Sequence, residues 1–269
     1  MAAFRRARNP EGRMSLGDHL RELRRRLVIA GLAVLLFAVL GWIYYPEIYD
    51  RLAAPFNDYK NAHPGSAISL NFGNATAAFS QQLSIAIFAG FIAASPVWLY
   101  QLWAFIVPGL TRKEKRISLA FVAAIVPLFL AGCALAYTVL PKVLAVLYGF
   151  TPAGASNIQQ VSDYFSFVTR FILAFGGAFL MPVFLVALSA VGVLPSSAMV
   201  KAWRPAVFGI FVLSAILTPT PDAFTMFLMA IPLVVLYFAA IGVAKLIERS
   251  RRRARPEWTD VPDDEASTL

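Results

Sequence analysis

Charged residues are scarce in this chain of 269 residues, and cysteine and histidine are nearly missing. Only 14% of the residues are charged and 59% are hydrophobic, whereas a soluble domain has roughly 25% charged and 45 to 50% apolar residues. The composition therefore excludes an ordinary soluble domain and indicates an integral membrane protein. The single cysteine, Cys133, also excludes an intramolecular disulfide.

Five long runs without a charged residue cover most of the chain. A helix of about 20 residues crosses about 30 Å of hydrocarbon, and each run reaches that length: residues 27–46, 61–111, 117–141, 171–200 and 223–244. A sixth run, residues 205–221, is bounded by prolines, and its helical part would span only about 20 Å. The sequence therefore predicts an all-α protein with six transmembrane helices.

Basic residues are distributed unequally between the connections of these predicted spans. Residues 1–26 contain eight, residues 112–116 four, residues 201–204 two and residues 245–255 six, which together are 20 of the 24 Lys and Arg residues. The positive-inside rule places these segments, and hence both termini, on the cytoplasmic side.

The predicted layout has three parts. A cytoplasmic segment with an amphipathic helix, residues 1–26, precedes a six-span domain, residues 27–244, and a charged cytoplasmic tail, residues 245–269. The tail is expected to be disordered. Residues 47–75 lie on the opposite side of the membrane and are interpreted as an ordered cap or loop.

Enzyme and metal signatures are missing as well. His19 and His63 fall on opposite sides of the predicted membrane, which excludes a histidine-pair metal site and an HExxH motif. None of the apolar runs has His, Lys, Asp or Glu at its centre, so a serine nucleophile would lack a base. We therefore expect no catalytic residue, no metal and no cofactor. Arg170 is interpreted as an interfacial anchor.

Two basic clusters each contain one glutamate beside an apolar run: HLRELRRR at residues 19–26 and LTRKEKR at residues 110–116. Glu22 and Glu114 are placed to receive a cationic ligand, because a carboxylate can accept both arms of a guanidinium. Two simpler interpretations stay open. Glu22 precedes Arg26 by four residues and would then form an intrahelical ion pair, and Glu114 would only reduce repulsion among its neighbours.

Six motifs follow one another along the chain: SLGDHLRELRRRL from residue 15, AAPF from 53, SPVWLYQLWAFIVPGLTRKEKR from 95, SDYFSFV from 162, FGGAFLMPV from 175 and LTPTPDAFTM from 217. In these motifs and their order the sequence resembles the TatC family, the polytopic core of the twin-arginine protein translocase. One motif alone would be a weak signal, whereas six in order are a strong one.

The resemblance implies a receptor in the bacterial plasma membrane that binds signal peptides with paired arginines. With single-span TatA and TatB partners, it would move folded precursor proteins across the membrane. Two arginines in tandem call for two carboxylates on the cytoplasmic side, and Glu22 and Glu114 are the matching positions. The flanking basic residues would reject cations that do not form good pairs.

The resemblance implies roles for further residues and partners. Additional signal-peptide contacts are expected at Arg24, Leu20 and Phe105. Partner-binding or structural roles are expected for Pro55, Tyr164, Leu180, Asp222 and Met226. Membrane lipid and further copies of the chain within the translocase are the other expected partners, and no nucleic acid is expected.

The fold that the resemblance implies is a curved, cupped bundle with two short C-terminal helices. Proline inside a span removes a backbone hydrogen bond and bends the helix, and four prolines lie within predicted spans: Pro96, Pro127, Pro182 and Pro232.

The sequence departs from the family at Leu180, where a glutamate is common. The fourth span then has no embedded carboxylate. Polar contacts with partner helices would have to come from Gln81, Gln82, Ser189 or Thr225.

Two other classes of membrane protein also have several spans. A secondary transporter normally has ionisable residues near the midplane and internal repeats, and this sequence has neither. A membrane scaffold, or a diverged paralogue that binds partner helices without recognising cargo, stays open, with Glu22 and Glu114 as simple surface charges. Crosslinking of a paired-arginine peptide separates a scaffold from a receptor.

Overall fold

The structure is a computed structural model that describes residues 16–64, 68–74, 76–106, 112–152, 157–190, 192–217 and 222–253. These residues form ten helices and two short strands. In chain order they are α1 (Leu16–Ile43), α2 (Tyr45–Ala62), β1 (Ile68–Asn71), α3 (Ala77–Ala93), α4 (Ser95–Ile106), α5 (Arg112–Gly149), β2 (Asn157–Gln160), α6 (Val161–Ala178), α7 (Met181–Ala190), α8 (Ser196–Lys201), α9 (Trp203–Leu217) and α10 (Ala223–Arg253).

Membrane-length helices confirm the predicted class of all-α membrane protein. Within the described ranges, four segments are long and apolar enough to cross a bilayer: Gly17–Ile43, Ala123–Gly149, Val161–Ala190 and Ala223–Ser250. The pair Ala77–Ala93 and Ser95–Phe105, bent by 60°, makes a fifth if it is counted as one span, and Trp203–Leu217 is a shorter apolar helix. These segments overlap the six predicted spans, although the fourth, Val161–Ala190, begins ten residues before the predicted run 171–200. The number six and the cupped shape remain predictions.

Helix interruptions occur next to two of the four prolines. The 60° bend separates α3 from α4 directly before Pro96, and the break between α6 and α7 directly precedes Pro182. α5 runs through Pro127 and α10 through Pro232 without interruption. Both interruptions therefore leave the proline in the first turn of the following helix, where a missing N–H is tolerated.

The chain divides into two compact units, Met1–Pro127 with Thr151–Thr169, and Leu128–Phe150 with Arg170–Leu269. In the first unit, α1 lies along α3 and α4. A Cβ added to Gly90 would lie 2.6 Å from the backbone nitrogen of Ala38, and one added to Gly41 would lie 2.7 Å from the carbonyl oxygen of Ala86. The backbones of α1 and α3 thus approach as closely as small residues allow in membrane helix pairs.

Residues 47–75, interpreted from the sequence as a cap or loop, contain most of α2 and the strand β1. The parallel pairing of β1 with β2 places Ile68 opposite Asn157 and Asn71 opposite Gln160. In the same unit, the buried Tyr164 donates a hydrogen bond to the carbonyl oxygen of Leu52 at 2.9 Å.

On α2 of this cap, burial raises the pKa of the Tyr49 hydroxyl, and the nearby Asp50 raises it further.

In the second unit, glycines again allow close contact, here between α5 and α6. A Cβ on Gly176 would lie 2.6 Å from Sγ of Cys133, and one on Gly132 would lie 2.7 Å from the carbonyl oxygen of Phe175. Cys133 is buried and fills this contact, as expected for a packing residue. In the same unit α10 contacts α7, α8 and α9.

Candidate functional site

The predicted ligand Glu22 lies on the first turns of α1 with 32% of its side chain exposed. Its Oε1 is 2.7 Å from Nη2 of Arg26, four residues later on the same helix. Arg26 also donates from Nη1 to Oε1 of Gln101 on α4 at 3.2 Å, while its buried Nε has no partner among the described residues. The intrahelical ion pair that the sequence allows is therefore formed, and a second helix holds its cation in place.

A groove of about 510 Å³ opens beside this ion pair. Arg26 and Gln101 are its polar lining residues, and the other lining side chains are apolar; they include Leu27, Val34, Phe91, Trp98, Leu102 and Phe105. The indole of Trp98 stacks on Phe91 at 4.7 Å and donates to the carbonyl oxygen of Phe91 at 2.9 Å, which fixes one wall. On α1 the lining extends from Leu23 to Leu35, or about 18 Å at 1.5 Å per residue.

The other predicted signal-peptide residues fall into two groups. Phe105 lines the groove and stacks on the His19 ring at 4.5 Å, which joins α1 to α4. Leu20, which is 64% exposed, and Arg24 lie on the exposed side of α1 and do not line the groove. The structure thus brings Phe105 and Glu22 to the same junction between α1 and α4.

The second predicted carboxylate, Glu114, lies in the first turn of α5. Its side chain falls outside the described part of the chain, and so does Ser15, which opens the first motif. The pairing of Glu22 with Glu114 therefore stays a prediction.

Three of the residues assigned to partner or structural roles are buried. Pro55 lies in the buried face of α2, and Tyr164 is fully buried against Phe56, with ring centroids 5.6 Å apart. Leu180, at the position of the family's glutamate, is 7% exposed in the two-residue break between α6 and α7.

Asp222 caps the N-terminus of α10. Its Oδ1 accepts the backbone N–H of Thr225 at 2.7 Å and its Oδ2 accepts the Thr225 hydroxyl at 2.6 Å. The backbone N–H of Met226 donates to the Asp222 carbonyl at 3.4 Å. This arrangement satisfies amides that a helix start leaves without partners, so Asp222 has a structural role in this structure.

Sequence reasoning missed one carboxylate in the second unit. Glu248 of α10 accepts hydrogen bonds from the backbone N–H of Ser196 at 2.6 Å, from the Ser196 hydroxyl at 2.6 Å and from the Ser189 hydroxyl at 3.3 Å. A signal was available, because Glu248 stands alone in KLIERSRRR, at residues 245–253, beside an apolar run. Within the described residues, no group of three or more His, Cys, Asp or Glu could hold a metal ion.

Of the four polar residues named as substitutes for the missing glutamate, Ser189 bonds Glu248 and Thr225 bonds Asp222. Gln81 is buried and Gln82 is half-buried. Two of the four therefore already have partners within the chain.

Comparison with known proteins gives a consistent result. Residues 18–232 match the family model of the Sec-independent protein translocase protein TatC. The chain is 42% identical over 245 residues to the TatC protein of Xylanimonas cellulosilytica, covering 91% of this chain and 88% of that protein. It is 39% identical over 277 residues to that of Frankia casuarinae, covering 99% and 76%. It is also similar to a crystal structure of the twin-arginine translocase receptor TatC, with a TM-score of 0.71, 36% identity, and coverage of 86% of this chain and 100% of that one.

Proposed function

Because the chain belongs to the TatC family, and is thus a multi-pass membrane component of the twin-arginine translocase and not an enzyme, we propose that it is the subunit that receives paired-arginine signal peptides. The observation that carries the proposal is the partly exposed carboxylate of Glu22, which pairs with Arg26, a lining residue of an apolar groove. A signal peptide joins a basic segment to an apolar stretch of 7 to 15 residues. The groove would take such a stretch, since about 12 helical residues extend over 18 Å.

The contacts of Glu22 suggest how it would bind an arginine. Arg26 approaches Oε1 at 2.7 Å, no second ion-pair partner of Glu22 is found within the described residues, and 32% of the side chain is exposed, so the carboxylate can also accept an incoming guanidinium. Gln101 restrains Arg26 and, through it, the carboxylate. Glu114 would supply the second acceptor, and the exposed Arg24 would orient the peptide.

Partners and orientation complete the proposal. TatA- and TatB-type single-span subunits, together with further copies of this chain, would form the complex that exports folded proteins across the bacterial cell membrane. The distribution of basic residues supports cytoplasmic termini. A cysteine replacing the exposed Lys60 should then react with an impermeant thiol reagent in intact cells, and one replacing Ser250 should react only after permeabilisation. The reverse pattern would refute this orientation.

Site-specific crosslinking of a paired-arginine signal peptide to membranes tests the receptor role. A hydrogen bond to a charged group contributes roughly 1.5 to 3 kcal/mol, so Glu22→Ala or Glu114→Ala should weaken binding by roughly 10- to 150-fold. A twin-lysine peptide should crosslink poorly to the unmodified protein, and Arg24→Ala tests the orienting role.

Asp18→Ala is the matched control. Asp18 is an exposed carboxylate on the same helix as Glu22, and it also pairs with an arginine of that helix, Arg21, at 3.5 Å. Undiminished crosslinking in the double variant Glu22→Ala with Glu114→Ala would reject the site and favour a scaffold. An equal loss with Asp18→Ala would show a general effect of charge.

A further inference from the structure

Two hydrogen-bonded connections in the second unit tie α8 to α10. The buried hydroxyl of Tyr237 donates to the carbonyl oxygen of Met199 at 2.8 Å. Eleven residues later on α10, Glu248 accepts the Ser196 backbone N–H and hydroxyl, both at 2.6 Å. Tyr237 and Glu248 are about 16 Å apart along α10, and their side chains converge on Ser196 and Met199 within one turn of α8. α8 is therefore held against α10 by two residues of that helix.

A groove of about 490 Å³ lies beside this fixed pair. Its lining consists of Val200, Trp203, Phe238, Ile241, Gly242 and Lys245. From Phe238 to Lys245 it extends about 10 Å along α10. The end at Phe238 is apolar, and Lys245 marks the end from which α10 continues into the basic sequence KLIERSRRR.

Two cations lie at or next to the lining of this groove. Lys245 is exposed and lines it, and the guanidinium of Arg204 lies 5.4 Å from the ring centroid of Trp203, another lining residue. The nearest acid along α10, Glu248, accepts hydrogen bonds from Ser196 and Ser189. Tryptophan is enriched at the headgroup level of membrane proteins, so the charged end of the groove has the composition of an interface.

We propose that this groove binds one anionic phospholipid. Lys245 and Arg204 contact the phosphate, and one acyl chain lies along Phe238, Ile241 and the open face of Gly242. Basic pockets between membrane helices on the cytoplasmic side bind anionic headgroups in this way. The site lies in the second unit and does not depend on the proposed recognition of cargo.

A partner's transmembrane helix fits the groove less well than a lipid does. A spanning helix is about 30 Å long, three times the length of the groove, so most of it would lie outside the groove. An apolar helix would also leave the two cations at the mouth without an anion. A phospholipid matches both the length of the apolar part and the charge at its end.

Native mass spectrometry of the full chain in detergent, titrated with dioleoyl phosphatidylglycerol or dioleoyl phosphatidylcholine, tests the proposal. A basic residue near the membrane surface contributes about a fivefold change in the affinity for an anionic lipid. Lys245→Gln or Arg204→Gln should therefore weaken phosphatidylglycerol binding about fivefold, and the double variant about 25-fold. Phosphatidylcholine should bind more weakly and be unaffected by either change.

Two further variants separate a lipid bound in this groove from a lipid bound elsewhere on the chain. Gly242→Phe leaves the charges in place. Because a Cβ at Gly242 meets no described atom within 4 Å, the new phenylalanine ring should fit into the groove, fill it and reduce phosphatidylglycerol binding. Arg249→Gln, on the same helix but outside the lining, should leave binding unchanged.

The proposal is overturned if phosphatidylglycerol and phosphatidylcholine bind equally, or if the double charge variant retains the affinity of the unmodified chain. Full competition by inorganic phosphate would show a phosphate site instead of a lipid site. If Gly242→Phe leaves lipid binding intact but abolishes co-purification of a single-span partner, the occupant is a helix.

Discussion

Glu22 and Glu248 occupy nearly the same sequence context and have different surroundings. Each is the single acid in a basic cluster at the end of an apolar run, HLRELRRR for Glu22 and KLIERSRRR for Glu248. Among the described residues, Glu22 has one ion-pair partner, Arg26, on its own helix, and 32% of its side chain is exposed. Glu248 is held by three hydrogen bonds from two serines outside α10. A glutamate whose oxygens accept several hydrogen bonds from other helices holds the fold together, whereas a partly exposed glutamate can bind a ligand.

The helices that carry these two glutamates make different contacts. α1 has close backbone contact with α3 at Gly90 and Gly41, and its Arg26 bonds Gln101 of α4. α10 packs against α7 and α9, and its Glu248 and Tyr237 form hydrogen bonds with α8. Removing a hydrogen-bonding side chain should therefore lower the free energy of unfolding more on α10 than on α1, and adding a methyl group at the contact of α1 with α3 should lower it as well.

The largest loss of stability is expected from Glu248→Ala. The change removes hydrogen bonds from a buried serine to a charged acceptor and leaves the Ser196 N–H without its partner. We expect the free energy of unfolding to fall by about 3 kcal/mol, because hydrogen bonds to charged groups contribute about 1.5 to 3 kcal/mol each and are not additive. Denaturant titration of the purified protein in detergent measures this change.

Glu248→Gln is the matched control, because an amide keeps the shape and one acceptor oxygen. It should lose less than Glu248→Ala. If both variants are as stable as the unmodified chain, the hydrogen bonds of Glu248 contribute nothing and the contrast with Glu22 disappears.

Gly90→Ala should have the next largest effect. The added Cβ would lie 2.6 Å from the backbone nitrogen of Ala38 and 2.7 Å from the carbonyl oxygen of Val34, so α1 and α3 must separate. Overpacking of this kind costs about 1 to 3 kcal/mol, measurable by the same titration.

Gly31→Ala on α1 is the control for Gly90→Ala, since its Cβ would meet no described atom within 4 Å. Alanine is also the better helix former, so this variant should be neutral or slightly stabilising. An equal loss at Gly31 and Gly90 would mean that contact with α3 is not what holds α1.

A smaller effect is expected from Tyr164→Phe. The ring and its contact with Phe56 remain, and only the hydrogen bond from the hydroxyl to the Leu52 carbonyl is lost. A neutral hydrogen bond contributes about 1 kcal/mol, so the free energy of unfolding should fall by about that amount. Tyr164→Leu removes the ring as well and should cost more. If Phe and Leu are equivalent at this position, the ring contact is unimportant.

The sequence predicts what depends on local patterns. Long apolar runs give the membrane helices, because hydrophobic length acts within one segment. The four prolines predict the interruptions only in part, since helices break just before Pro96 and Pro182 but continue through Pro127 and Pro232. The pattern of one glutamate in a basic cluster also finds Glu22. It does not separate Glu22 from Glu248, since the difference lies in what a second helix offers.

Features that depend on distant residues were not predictable. β1 and β2 have four residues each and pair across more than 80 residues of chain, so neither strand has a pattern of its own. The contact of Arg26 with Gln101 joins residues 75 apart, and the serines that bind Glu248 are more than 50 residues away. Only the tertiary structure brings these groups together.

The smallest effect on stability is expected from Glu22→Gln. Glu22 is partly exposed and its ion pair with Arg26 is an i, i+4 pair within one helix, a class that contributes about 0.3 to 0.5 kcal/mol. Arg26 keeps its hydrogen bond to Gln101, so α1 should stay in place and the free energy of unfolding should change by less than about 0.5 kcal/mol. The same denaturant titration measures it, with Glu248→Gln beside it as the equivalent change at the other carboxylate. If Glu22→Gln proves as destabilising as Glu248→Gln, both glutamates are structural, and weakened crosslinking of the signal peptide in a Glu22 variant would no longer indicate recognition. If Glu22→Gln is neutral, the same weakened crosslinking can be assigned to the lost carboxylate, because the groove and the helix that carries it are intact.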